Sequence, residues 1–179
     1  MSLYVFEGRK PAIGKTSYVH ERAVVIGKVT IGEGCFIGAG AVLRGDWGEI
    51  VIGDGSNVQE NAVLHAGPDS VTTLSENSHI GHGAILHGCY LEEHVLVGMG
   101  AIVNDRARIG TGCIVGSGAL VPPGVEFPPR SLLVGVPARV VKEITQLQSD
   151  FAWAGTRLYQ SLPKRYGESL EEVTLADCQ

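Results

Sequence analysis

Aliphatic residues recur every six positions along most of this chain. Ile13, Val19, Val25, Ile31, Ile37 and Leu43 form one run, Ile52, Val58 and Leu64 a second, and Ile80 and Leu86 a third. Leu91, Val97, Val103, Ile109, Val115 and Val121 form a fourth. A second, mostly small, residue follows four positions after many of them, as at Ala23, Cys35, Ala41, Ala84, Val95, Ala101, Ala107, Cys113 and Ala119. A period of six matches neither the 3.6-residue turn of a helix nor the two-residue alternation of a strand. It fits a short strand closed by a tight turn and repeated. Stacking such units buries an aliphatic column beside a small-residue column, and each strand pairs with the coils above and below. The fold expected is all-β, and turns at fixed intervals account for the 25 glycines.

The pattern resembles the hexapeptide repeat of the left-handed parallel β-helix, in which three hexapeptides make one triangular coil. The resemblance covers residues 11–130 and implies a prism with three flat faces, roughly six or seven coils, and assembly as a trimer. The repeat breaks at Arg44–Ile50 (RGDWGEI), at Ala66–His79 (AGPDSVTTLSENSH, read as a surface loop), and by a one-residue slip between Leu86 and Leu91. Breaks in a strong repeat are where chemistry can be grafted. The expected organisation is a β-helix domain over 1–136 and a C-terminal α-helical extension over 137–179, packed on the prism. Thr145 and Gln148 have the spacing of a capping box. The helix that follows carries Phe151, Trp153, Ala154, Leu158 and Leu162, and Pro163 is expected to stop it. The tail from Gly167 is polar and acidic and is expected to fray.

Charge narrows the function classes. With 14 Lys+Arg against 19 Asp+Glu the net charge is −5, which argues against nucleic acid as a partner. No apolar run has the length of a membrane span, and MSLYVFEGRKP lacks the pattern of a signal peptide, so a cytoplasmic location is expected. The four cysteines show no CxxC motif and read as reduced thiols.

The candidate chemistry lies with the histidines. His65 follows Leu64 and His87 follows Leu86, so both take the second place of a hexapeptide, 22 residues apart. Removing about four residues for the polar insert leaves one coil, which stacks the two imidazoles about 4.8 Å apart along the axis. His82 lies one side of the triangle away and points to another edge. In a trimer it can meet the His65–His87 pair of a neighbour, giving three imidazoles with an open fourth position. On spacing alone this metal site and ordinary structural histidines remain equally open. His20, His79 and His94 read as structural.

Three segments carry a second resemblance: LRGDWGEIVIGDGSNVQENAVLH (43–65), IGHGAILHGCYLEEHVLVGMGAIVND (80–105) and WAGTRLYQSL (153–162). They are similar to the γ-class carbonic anhydrase family, especially its bacterial branch that includes the phenylacetate-degradation hexapeptide protein. The resemblance implies metal ligands at His65, His82 and His87, an interface ion pair at Arg44 and Asp46, and Asn57 and Gln59 near the metal. Gln59 would orient a metal-bound water, and Tyr159 would approach the pocket from the C-terminal helix. Glu60 stands where many relatives have Asp. The insert is short, with Asp69 and Glu76 as its carboxylates, and no proton shuttle can be assigned.

The activity this implies is that of a carbonic anhydrase-like lyase. Zn2+, or Fe2+ or Co2+, held by three histidines would supply hydroxide to CO2 at neutral pH. An alternative is a metal-dependent acyl-CoA thioesterase. Another is a hexapeptide acyltransferase with a histidine base and no metal, since the GVPAR turn also occurs in such enzymes. A non-catalytic scaffold is the remaining reading.

Overall fold

The computed structural model describes residues 2–178. Among them the chain builds a left-handed parallel β-solenoid of about seven turns, followed by C-terminal helices. Each period-six run becomes a column of buried side chains. Leu43, Leu64, Leu86, Val103 and Val121 stack in register on one face. Ile37, Val58, Ile80, Val97, Val115 and Leu133 stack on the second. Ile31, Ile52, Leu74, Leu91, Ile109 and Phe127 stack on the third. Apart from the partly buried Phe127, all are shut from solvent. Ala23, Cys35, Ala41, Ala62, Ala84, Ala101, Ala107, Cys113 and Ala119 fill the corners with small buried side chains.

The breaks stay within β-structure. Arg44–Ile50 lies inside one long strand, Val42–Ile52, which bends around a prism edge without a turn. Its start pairs with Val63–His65 and its end with Val71–Leu74. The segment expected as a surface loop therefore contributes Val71–Leu74 to the sheet, with Leu74 continuing the third column. The slip after Leu86 is absorbed at Gly88, whose φ of 53° lies in the left-handed region. Thr72 pins that corner: its hydroxyl donates to His65 O and accepts from Gly88 N–H.

Sheet structure runs past the boundary expected after residue 136. Ser131–Gly135 turns back through Val136 and Pro137 into the antiparallel strand Ala138–Glu143. Helix α1, Gln146–Gln160, then starts at the expected capping box, with Thr145 and Gln148 satisfying each other's backbone N–H. Pro163 does not end the helical region. It falls in the first turn of a second helix, α2 (Leu162–Ser169), where a missing N–H costs nothing. Helix α2 runs past Gly167 to Ser169, and a short 3₁₀ turn follows at Leu175–Cys178.

Helix α1 lies on the second face. Gln160 donates to Gly55 O and Asn77 Oδ1, and Tyr166 of α2 packs edge-on against Tyr18 and Phe36. Trp153 turns inward onto His94, with ring centroids 3.7 Å apart. Phe151 and Leu158, expected on the packed side, point outward.

Candidate active site

Two polar clusters stand on different parts of the prism. The first follows from strand register. Arg44, His65 and His87 occupy successive coils at paired positions, so their side chains leave the sheet on the same side. His65 Nδ1 and His87 Nε2 lie 3.0 Å apart. A carboxylate holds the other nitrogen of each ring: Asp46 at 3.0 Å from His65 Nε2, and Asp105 at 2.7 Å from His87 Nδ1. Arg44 donates to Asp46 at 2.7 Å, so the expected ion pair forms within one chain. Burial pushes the Asp46 carboxyl upward, but hydrogen bonds from Arg44, His65 and the Trp47 N–H outweigh it, and the net shift is downward. The Trp47 ring is exposed and tilts over His65 with centroids 6.1 Å apart. Beside it runs an open groove lined by Arg9, Lys28, Trp47 and Ser70.

The protonation pattern of this cluster decides what it can hold. A neutral imidazole has one N–H and one lone pair. With each N–H given to its carboxylate, the lone pairs of His65 Nδ1 and His87 Nε2 face each other at 3.0 Å. Facing lone pairs repel unless a proton or a cation lies between them. Two nitrogens bound tetrahedrally to one ion at about 2.0–2.1 Å stand about 3.3 Å apart, close to what is found here.

His82 has the same half-satisfied form. It occupies the Gly81–Gly83 turn, with φ of 67° at Gly83, which throws its ring outward from the coil. Glu60 Oε2 lies 2.6 Å from its Nδ1, leaving Nε2 as the lone pair. Glu60 thus gains the partner its sequence position left open. Among the described residues, no three His, Cys, Asp or Glu side chains of one chain converge as an ion site. His65 and His87 are together and His82 is apart, as the spacing predicts.

The second cluster is one the sequence reading missed. Asn57, Gln59 and Tyr159 do not surround His65 and His87. They surround His79, which was read as structural. Gln59 Nε2 lies 2.7 Å from His79 Nε2 and 3.0 Å from Asn57 Oδ1, and Asn57 Nδ2 is 3.3 Å from His79 Nδ1. Tyr159 meets the His79 ring edge-on with centroids 5.2 Å apart. Burial, with a smaller contribution from nearby His82, pushes His79 down to about 4, so it is neutral at pH 7. Burial also raises the Tyr159 hydroxyl, with Glu60 and Tyr166 adding to the shift. The signal was present: Asn57 and His79 are spaced like His65 and His87, and they pair directly across adjacent coils.

Comparison with known proteins places this architecture. A family model described as bacterial transferase hexapeptide matches residues 10–45 and 88–123, and one described as the hexapeptide repeat of succinyl-transferase matches 28–66. The carnitine operon protein CaiE of Escherichia coli K12 is 42% identical over 173 residues, covering 97% of this chain and 88% of that protein. A Bacillus cereus structure described as a candidate acetyltransferase superposes with a TM-score of 0.91 at 33% identity, over 92% of this chain and 96% of that one. A hexapeptide transferase family protein from Anaplasma phagocytophilum gives 0.88 at 34% identity, over 92% and 98%. These relatives correct the expected lyase, because the similarity runs to transferases and to CaiE. Among the described residues no helix is long and apolar enough to cross a membrane. The repeat, the solenoid and the full-length similarity together establish that the chain belongs to the hexapeptide-repeat transferase family.

Proposed function

We propose that this chain forms a homotrimeric enzyme that moves an acyl group out of a coenzyme A thioester, at centres shared between neighbouring prisms. The observation that carries the reading is the 3.0 Å approach of His65 Nδ1 to His87 Nε2, with a carboxylate holding the other nitrogen of each ring. The acetyltransferase and transferase descriptions of relatives above 30% identity favour an acyl donor.

His65, His87 and His82 of the partner subunit would hold a divalent cation, Zn2+ or else Fe2+ or Co2+. The similarity to the γ-class segments supports the same three residues. When bound, such an ion supplies an electrophile and lowers the pKa of a bound water toward neutrality. The chain's own groups do the rest. Asp46, Asp105 and Glu60 fix which nitrogen of each ring is free. Arg44 keeps Asp46 charged and in place. The exposed Trp47 offers a flat apolar wall beside the centre. In the transfer the thioester C–S bond breaks, a bond forms from the acyl carbon to water or to a small acceptor, and the thiol of coenzyme A leaves with the acceptor's proton.

The test is metal analysis together with thiol release from a panel of acyl-CoA esters, on anaerobically purified wild type, His82→Ala and His87→Ala. A trimer with about one metal per chain and turnover that both variants lose is the expected result. A metal-free trimer that still turns over, and that His82→Ala leaves intact, would hand the role to His65 as a general base oriented by Asp46. Absence of thiol release with every ester refutes the acyl-transfer reading.

A further inference from the structure

We infer that the outward side of helix α1 is a two-fold contact surface for a second copy of this chain, with two α1 helices packed antiparallel so that trimer is joined to trimer. The inference does not depend on the reaction proposed above.

Helix α1 has two unlike sides. Trp153, Thr156 and Gln160 face the prism. Leu147, Phe151, Ala154 and Leu158 form a stripe on the opposite side, where Leu147, Phe151 and Leu158 are 79%, 78% and 68% exposed. Apolar residues scattered singly over a surface are ordinary, but these are spaced four, three and four along one helix. That is the d–a–d–a order of a coiled-coil seam. Such a stripe is costly in water unless another apolar surface covers it.

Size and charge say what lies opposite. In an antiparallel pair each a position layers with a d position of the partner. Leu147 then meets the partner's Leu158, and Phe151 meets the partner's Ala154. The two-fold axis repeats both contacts, so each large ring is set against a methyl group and every layer fills. A parallel pair would set Phe151 on the partner's Phe151 and leave Ala154 facing the partner's Ala154 across a gap. The flanking charges select the same direction. Asp150 and Arg157 are exposed and both fall at g positions, and in antiparallel pairs g faces g. Asp150 therefore meets the partner's Arg157, and the axis repeats that pair as well. Exposed ion pairs add little affinity, but they decide orientation. Their contacts within the chain are local: Asp150 accepts from Gln146 Nε2 at 2.8 Å, and Arg157 lies 5.9 Å from the Trp153 ring.

A membrane surface is the poorer occupant. Helices that lie in a lipid interface are rich in Lys and Arg on the polar side, and α1 has one basic residue against one acidic. Docking on the prism also orders α1 before it meets a partner, which lowers the entropy lost in forming so short a seam. The stripe points away from the prism and leaves the edges with His65, His82 and His87 free. Each helix pair buries on the order of 800 Å2, the weak end of specific interfaces, so the association is reversible.

The test is sedimentation velocity of the full chain from about 10 μM to about 1 mM, with Phe151→Glu as the reference. The wild-type mass should rise with concentration above that of the reference, whose mass should stay constant. The comparison holds whatever the base unit is, so a failure of the trimer is read separately. Arg157→Asp should weaken the association about tenfold, and adding Asp150→Arg to it should restore most of the loss. Circular dichroism checks that each variant is folded. Direction is read by oxidising Leu147→Cys/Leu158→Cys in a Cys178→Ser background. Within one helix the two sites stand about 16 Å apart, too far for a disulfide, so any link joins two chains. The double variant should cross-link, and neither single variant should. A wild-type mass that stays constant, or a rise that Phe151→Glu leaves unchanged, overturns the inference. Cross-linking of Leu147→Cys alone overturns the antiparallel register. Binding to phosphatidylglycerol vesicles that Phe151→Glu abolishes, with no self-association, overturns the inference and assigns the stripe to lipid.

Discussion

Lowering the pH from 8 to 5 should cost the folded chain about 2 kcal/mol through His79 alone. Its folded pKa lies at about 4, against 6.5 in the unfolded chain, because burial disfavours the imidazolium. Below pH 6.5 the unfolded chain takes up a proton that the folded chain does not, so stability falls with pH. The contribution is complete above 6.5. It declines by about 2 kcal/mol at pH 5 and approaches about 3 kcal/mol below pH 4, following RT ln[(1 + 10^(6.5−pH))/(1 + 10^(4−pH))]. Nothing that faces the ring offsets this. Asn57 and Gln59 are neutral, Tyr159 has its pKa raised, and the Glu60 carboxylate is taken by His82 at 2.6 Å. The assay is urea unfolding followed by far-UV circular dichroism at fixed protein concentration, at pH 5, 6, 7 and 8, for wild type and His79→Gln. Every other titrating group cancels in the difference between the two chains. The wild-type curve should approach, or cross, that of the variant as pH falls, with the gap changing by about 2 kcal/mol between pH 8 and 5. Parallel profiles would mean that His79 titrates as an ordinary exposed histidine, and the buried neutral ring would be refuted.

Other perturbations test the scaffold and the paired histidines separately. Leu86→Ala removes a fully buried side chain between Leu64 and Val103 and should cost about 2–5 kcal/mol in denaturant unfolding, because rigid coils above and below cannot close the void. Gly98→Ala puts a Cβ 2.5 Å from the Ser117 backbone nitrogen of the next coil, so the coils must part, and a fall in Tm of several degrees is expected by calorimetry. Asp105→Asn takes the carboxylate from His87 Nδ1 and should weaken Zn2+ binding about 10–100-fold in competition with a chromophoric chelator, leaving the apo-protein's Tm nearly unchanged because Asp105 is partly exposed.

What could be read from sequence is what a periodic backbone repeats. A hydrogen-bond ladder carries register from coil to coil, so placing Leu64 and Leu86 in one column also places His65 over His87. The same logic places Asn57 under His79, with the same spacing. That pair was passed over because His79 ends a polar stretch and so looked like part of a loop. Asp105 was hidden by the slip: Leu86 pairs with Val103, a shorter step than the 18 residues of a regular coil, and counting in sixes goes astray there. The position of Tyr159 was hard to read for a different reason. A helix docking on a prism has no ladder to set its register, and only contacts such as Gln160 to Gly55 and Asn77 decide which residues face inward. The reaction class was the hardest to read, and the histidines explain why. Three imidazoles, each held by a carboxylate, would together make an electron-pair donor set, and such a set would serve attack on CO2 and on a thioester carbonyl equally well. What separates the two is the room and polarity around the donors, such as the open groove lined by Trp47, Arg9 and Lys28. Those features arise where the repeat is broken or covered, so no six-residue period could have announced them.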